Sequence, residues 1–435
     1  MTTAEENEQL APWTDAVPTG WIVTRLDAAA DVLFSNVDKH TIDGEIPIRL
    51  CNYVDVYRND RITGSIDFME ASAEEHEIRK FQIRRGDVLA TKDSEESDDI
   101  AISSLVQEDL PGVLCGYHLA MIRPRFASVS GSYLAWLHAS KSFRAQYEAK
   151  AAGVTRFGLS QYAFRAARIP LPPLPEQQRI AAYLDASCAA IDAAVAAKRR
   201  QLETLDALRK SIILSFFSNQ SDISNERVKD VAARITSGVT PEGGASGYLD
   251  SGIPLLRSQN VHFDGLRLDD VAFISAETHA GMRGSQLKPR DVLLNITGAS
   301  IGRCTFVPDG FGEGNVNQHV CIIRPGPCID HRYLAAFLSS SMGQDQVLST
   351  FTGASRQGLS HSDLGLIRIP FPKIKVQREI VDRIEQHDLK RRNICVCIES
   401  QIATLTAYRK SLIHECVTGQ RRIAESDLNQ EKAHG

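Results

Sequence analysis

The sequence predicts a mixed α/β (α+β) fold built twice, as two globular domains in pseudo-symmetric tandem repeat, each followed by one long helix. Three observations lead there: a proline-punctuated start to a long helical stretch, its return two hundred residues later, and a shared order of strand-like runs upstream of both. Pro170, Pro172, Pro173 and Pro175 forbid a helix as far as Leu174, because each lacks an amide proton and restrains the residue before it. Pro175 suits a first helical position. From there to Phe217 no glycine or proline intervenes, and Leu184, Cys188, Ile191, Val195, Leu202, Leu205 and Ile212 recur at spacings built from three and four. That is the rhythm of a helix with a narrow apolar seam, roughly 60 Å long at about 1.5 Å per residue. One such helix cannot bury its own seam, so it needs a partner.

The chain supplies that partner. Arg368-Ile-Pro-Phe-Pro372 repeats Arg168-Ile-Pro-Leu-Pro172, Gln377 and Ile380 match Gln177 and Ile180, and Leu405-x-Ala-x-Arg-Lys-Ser-x-Ile413 matches Leu205 to Ile213. Gly353-x-x-Arg-x-Gly-Leu-Ser360 returns Gly153 to Ser160, and positions 153–213 hold 19 identities in 61 at one fixed offset. This is a tandem duplication. In the second helix the seam is expected at Ile384, Ile398, Ile402, Leu405 and Leu412.

Upstream, the first domain opens at Trp21, with a helical patch expected through Val32 and Leu33. Strand-like runs follow at Ile46–Leu50, at Val88-Leu89 after the Gly86-Asp87 turn, and at Tyr117–Pro124, with a helix starting at Tyr133. The second domain repeats this order at Ile253–Arg257, Asp291–Leu293, Gln318–Pro325 and Tyr333-Leu-Ala335, with dissimilar stretches between.

The phrase Leu171-Pro-Pro-Leu-Pro-Glu-Gln-Gln-Arg-Ile180 ahead of a long helix, present twice, resembles the DNA-specificity subunit of type I restriction–modification systems. The second copy departs from it at Lys373, Lys375 and Val376, in place of Pro173, Pro175 and Glu176, while the flanking register survives. The resemblance covers roughly Trp21 to Gln420. It implies two target-recognition domains separated by two long antiparallel coiled-coil helices. The expected divisions are a polar leader at 1–20, a first recognition domain at 21–170, a first conserved helix at 171–220, a second domain at 221–370, a second helix at 371–420 and a polar tail at 421–435. It further implies double-stranded DNA as ligand, two methyltransferase (modification) subunits docked along the helices, and two nuclease/translocase (restriction) subunits where the system has them. S-adenosylmethionine, Mg²⁺ and ATP then belong to those partners, with no cofactor in this chain.

Composition bounds the alternatives. Hydrophobic residues make up 43% and charged residues 24%, ordinary for a globular protein of two or three domains. No uninterrupted apolar run reaches about 18 residues, so no membrane span is expected, and the acidic MTTAEENEQL start does not suit a signal peptide. Nine scattered cysteines without C-x-x-C spacing fit a reduced, cytoplasmic setting and no metal site. The net charge is −5, and residues 224–367 carry 14 acidic against 12 basic side chains, so composition by itself does not announce a DNA binder.

Catalytic motifs are missing. There is no phosphate-cradling G-x-x-x-x-G-K-[ST], and the only Pro-Pro pair punctuates a helix. Gly310–Gly314 is followed by a strand-like run, and the acidic run Asp93, Glu95, Glu96, Asp98, Asp99 lacks calcium-loop spacing. That run reads as a solvated loop and Glu148-x-Lys150 as a solvated helix face. The chain is therefore expected to be no enzyme. Arginine reads guanine and Asn or Gln reads adenine, while Ser and Thr hold the backbone. The candidate readers are Arg49, Asn52, Thr155 and Arg156 in the first half, and Arg257, Gln259, Asn260, Asn317, Gln318, Thr352, Ser355, Arg356 and Gln357 in the second. Because different half-sites need different readers, residues shared by both copies, such as Arg156 and Arg356, suit phosphate contact or loop anchoring. The rival to a DNA-specificity subunit is a non-catalytic coiled-coil adaptor with duplicated protein-binding domains.

Overall fold

A computed structural model describes residues 17–125, 127–218, 223–241, 244–349 and 358–428. Its contacts divide the chain into two compact units, Met1–Lys198 with Ser400–Gly435, and Arg199–Glu399. Each unit therefore contains one recognition fold, part of the first long helix (Leu174–Ser218) and part of the second (Ile374–Thr418).

In the first unit a five-stranded sheet runs Ala30–Phe34, Leu119–Pro124, Val88–Thr91, Ser103–Val106, Arg61–Ile62. A three-stranded sheet has Ile46–Cys51 between Met69–Ala73 and Val113–Cys115. The second unit keeps the plan with fewer strands: Ala232–Ser237, Val320–Pro325, Val292–Asn295, Cys304–Phe306 in one sheet, and Ile253–Leu256 between Ala272–Ile274 and Asn315–Val316 in the other. The central strands are apolar on both faces, with Leu119 to Ile122 and Val320 to Ile323 all buried. The helical patch ends at Ala29, earlier than expected. Val32 and Leu33 lie on a strand whose antiparallel register is Val32 to Ile122 and Leu33 to Met121. Pairing with a buried central strand outweighs local helix preference there.

The repeated residues are spent on backbone. Gln177 accepts from Ser130 N (2.9 Å) and donates to Ser128 O and Pro172 O (3.0 and 2.8 Å); Gln377 accepts from Asp330 N (2.9 Å) and donates to Cys328 O and Pro372 O (3.2 and 2.8 Å). Tyr133 and Tyr333 donate to Pro170 O and Pro370 O at 2.7 and 2.9 Å. Arg168 and Arg368 each exchange two backbone hydrogen bonds with one glutamine, Gln146 and Gln346. Burying such amides is tolerable only because their polar atoms are paired. The proline-rich phrase itself forms the edge of a two-stranded ribbon, Arg168–Leu171 against Ile22–Arg25, and Arg368–Pro370 against Asn225–Arg227. The first long helix starts at Leu174, one residue ahead of Pro175, which fits the first turn without an amide proton; the second starts at the repeat position, Ile374, with Lys375 in place of that proline.

Within each unit the two helical segments run antiparallel. In the first, Glu176 meets Arg422 (2.8 Å) and Asp192 meets Arg409 (3.0 Å), so one number falls as the other rises. Leu184, Ile191 and Leu412 are buried in that core, and Val195 and Leu405 pack on its margin. In the second unit Arg209 meets Asp388 (2.8 Å), and Ile384 is buried with Ile380, Val381, Ile213 and Phe217. Ile398 is also buried, whereas Leu202, Leu205, Ile212 and Ile402 are only half-buried. In the first helix the buried position thus moves one place, from Ile212 to Ile213; in the second, Leu412 is buried as expected and Ile413 is buried beside it. Fully burying a leucine such as Leu184 or Leu412 contributes about 2 kcal/mol.

By length and apolarity the first long helix could cross a membrane. In this fold its Ile180, Leu184, Cys188 and Ile191 are core residues, and Asp185 and Asp192 are ion-paired. Two further expectations change. Ile423 is buried and Leu428 packs on the first unit's core, so the start of the polar tail is anchored. Glu148 and Lys150 are half-buried, not a solvated face; Glu148 Oε1 has no hydrogen-bond partner among the described residues, and burial lowers the Lys150 pKa.

Candidate nucleic-acid interface

In both units the same backbone joint presents polar side chains. The chain just past the central strand Val88–Thr91 pairs with the Gly153–Ser160 loop, Ser94 opposite Phe157 and Asp93 opposite Gly158. In the second unit Thr297 bridges Gly358, and Leu359 N donates to Ile296 O as Leu159 N does to Lys92 O. A histidine from the turn before the next central strand reaches this joint in each case, His118 and His319.

The chemistry at the joint differs. In the first unit Asp93 accepts from His118 Nδ1 (2.8 Å) through one oxygen and from Arg156 Nε (3.0 Å) through the other. Asp93 is only 15% exposed, so this member of the acidic run is an ion-pair hub and not part of a solvated loop. Beside it Lys92 is half-buried, with its ammonium 4.2 Å from the Tyr117 ring centroid and 5.0 Å from that of Phe34; burial lowers its pKa. Tyr53 and Tyr57 stack at 5.6 Å, and Tyr57 donates to Asp99 (2.7 Å). With Glu95, Glu96 and Arg156 they line a recess of about 410 Å³.

In the second unit the place of Asp93 is taken by Thr297. Thr240 donates to the Gln318 carbonyl, Gln318 Nε2 donates to His319 Nε2 (3.0 Å), and His319 Nδ1 then donates to Thr297 Oγ1 (2.5 Å). A chain of hydroxyl, amide and imidazole groups stands where the first unit has a carboxylate beside Arg156 and Lys92.

The expected readers fall into distinct groups. Arg156 is half-exposed but tied to Asp93, and Thr155 beside it is exposed. Arg49 is exposed on the strand Ile46–Cys51, reaching Pro111 O (3.4 Å), while Asn52 caps the short helix Tyr53–Arg58 next to the tyrosine pair. Arg257, Gln259 and Asn260 converge on Asp270: Arg257 donates to its carbonyl at 3.0 Å, Asn260 at 3.1 Å, and Gln259 donates to its carboxylate. Gln318 is exposed. Asn260 and Asn317 must be removed from the set. They are 1% and 6% exposed; Asn260 holds a turn through Arg267 O, and Asn317 accepts from His319 N, so neither presents a free edge to a base. Thr352, Ser355, Arg356 and Gln357 lie outside the described residues. Lys92, His118, Asp93 and Thr297 escaped the sequence reading. The only signal for them was their place at equal distance past two matching strands.

A duplicated α/β unit, with one framework holding two unlike sets of exposed polar groups, defines a tandem recognition protein. The family model for the type I restriction modification DNA specificity domain matches residues 64–204 and 281–395, more than half of the chain, and the chain belongs to that family. It is 25% identical over 321 residues to the type I restriction enzyme EcoBI specificity subunit of Escherichia coli, covering 67% of each chain. A chain from a solved structure on complex assembly and conformational transition of the type I R-M system superposes with a TM-score of 0.74 at 20% identity, covering 92% of this chain and 98% of that one. The HsdS subunit from Thermoanaerobacter tengcongensis gives 0.53 at 18%, over 93% and 98%. At these identities the superpositions establish the fold.

Proposed function

We propose that this chain is the DNA-sequence reader of a type I restriction–modification complex, each unit contacting one half of a split, asymmetric target. The observation that carries the reading is the joint itself. Equivalent backbone in the two units displays Asp93, Arg156, His118 and Lys92 in one case and Thr297, Gln318, His319 and Thr240 in the other. Two half-sites of unlike sequence require that kind of difference on a shared scaffold. The chain itself carries out no reaction in this reading. Methyltransferase subunits dock along the long helices, and S-adenosylmethionine, Mg²⁺ and ATP are used by the partner subunits. A cytoplasmic setting suits nine free cysteines, among them Cys51 and Cys115, which face each other in register on neighbouring strands without a disulfide.

Arg156 at the joint and Arg257 in the Asp270 cluster are already paired with carboxylates, so neither guanidinium is free to neutralise phosphate. Weak, salt-sensitive DNA binding by the isolated chain follows, with tight binding only in the assembled complex. The test is reconstitution with methyltransferase subunits. The complex should methylate one bipartite sequence, and the purified chain should neither methylate nor cleave DNA with any cofactor supplied. Methyl transfer by the chain alone, or a complex indifferent to sequence, would overturn the reading.

A further inference from the structure

Position 136 and its repeat, position 336, sit in equivalent clefts between a recognition fold and the helices of the same unit. In the first unit Trp136 fills the cleft. Its Nε1 donates to Asp185 (2.8 Å), and the guanidinium groups of Arg61 and Arg409 lie 5.4 and 5.8 Å from its ring centroids. The space left is about 200 Å³. In the second unit the repeat keeps a carboxylate and one of the two guanidinium groups and omits the ring; at the repeat offset from Arg61 stands Val261. Ala336 replaces Trp136, Glu385 stands at the repeat of Asp185, and Arg209 at the repeat of Arg409. Glu385 is held by Arg332 (3.0 Å) and Arg209 by Asp388 (2.8 Å), so acceptor and cation are fixed in place. The cleft is about 650 Å³, walled by Phe306 and Phe263.

We infer that this cleft is a socket for an aromatic side chain of a protein partner, an indole being the ring it matches best. The chain's own Trp136 is the template: a ring whose N–H meets a carboxylate and whose π-face meets guanidinium. Cation–π contact of this kind strengthens when desolvated, and tryptophan is prominent among residues that anchor interfaces. The socket's natural occupant belongs to a partner subunit, and that clause alone rests on the function proposed above.

The probe is N-acetyl-tryptophanamide, titrated calorimetrically into the full chain. One saturable site is expected, weakened at least tenfold by Ala336→Trp, which fills the cleft as the first unit does, and unchanged by Ala336→Ser. Glu385→Gln, a half-exposed change that keeps the shape, should weaken binding at least threefold and decides the matter if Ala336→Trp fails to fold. Trp136→Ala should add a second site. Absence of saturable binding, indifference to both cleft variants, or binding of deoxynucleoside monophosphates in place of the indole probe would overturn the socket. In the reconstituted complex Ala336→Trp should weaken partner association at least tenfold; undiminished association would overturn the assignment to a partner. If the wild-type chain assembles with no methyltransferase, the functional reading fails while the probe titration still decides the socket.

Discussion

Two layers of the repeat differ in how far the two copies match. Gln177 and Gln377, Tyr133 and Tyr333, and the pairs Arg123–Asp87 and Arg324–Asp291 make the same contacts in both units. Asp93 has become Thr297, Trp136 has become Ala336, and His138 has become Leu338. The first group satisfies buried backbone or a buried charge, where losing one partner strands the other at a cost of several kcal/mol. The second group sits at exposed joints, in clefts, or in a cluster that an apolar residue can fill equally well. At these three places a change leaves no buried partner stranded; at Glu148, whose repeat is Leu348, a buried carboxylate oxygen has no partner among the described residues.

The largest effect should come from breaking the shared layer. Asp87 accepts two bonds from Arg123 (2.9 and 2.7 Å) and Asp291 two from Arg324 (2.7 Å each), with both carboxylates essentially unexposed. Asp87→Ala or Asp291→Ala should cost about 3–5 kcal/mol in the unit that carries it. Hydrogen exchange resolved by unit measures this. Losses that differ widely between the two units would mean that the framework is not equivalent.

A smaller, pH-dependent effect should separate the halves. His138 is fully buried, donates from Nδ1 to Leu134 O (2.7 Å) and accepts at Nε2 from Tyr147 (3.1 Å). Burial pushes its pKa down to about 4, against about 6.5 unfolded. The unfolded chain therefore takes the proton first. The stabilisation is complete above pH 6.5 and is lost as pH falls toward 4, about 3 kcal/mol in all. The first unit should lose protection over that window and His138→Leu should flatten the loss. The second unit has Leu338 at this place but carries its own half-buried His331, whose pKa burial also lowers, so the deciding result lies in the first unit: a loss there that His138→Leu leaves unchanged would contradict the assignment.

The smallest effect concerns the joint. Asp93→Asn should change stability by under about 1 kcal/mol, since Arg156 is half-exposed, yet release that guanidinium toward phosphate. The salt dependence of DNA binding by the complex should steepen by about one unit. Asp93→Asn combined with Arg156→Ala should remove the gain. A slope unmoved by Asp93→Asn would show that the arginine stays out of phosphate reach.

Much of the fold was legible because duplication and proline are strong signals. Prolines fix where a helix can begin, and one constant offset aligns residues 153–213 with 353–413 position by position. The functional surface was less legible. Residue type says that Asn260 and Asn317 are good base readers, but only the fold shows them consumed by a turn and a backbone amide. In the same way, Asp93 belongs by sequence to an acidic run, and it is tertiary proximity to His118 and Arg156 that makes it a hub. Val32 and Leu33 went astray for a related reason: a short apolar pair fits helix and strand alike until its neighbour strand is known.

The central claim is that each unit reads its own half of the target. It is tested most directly by exchanging residues 21–167 for the first domain of another family member and profiling methylated positions genome-wide. The account predicts that one half of the methylated sequence changes and the other stays as it was. A target altered in both halves, or in neither, would contradict it.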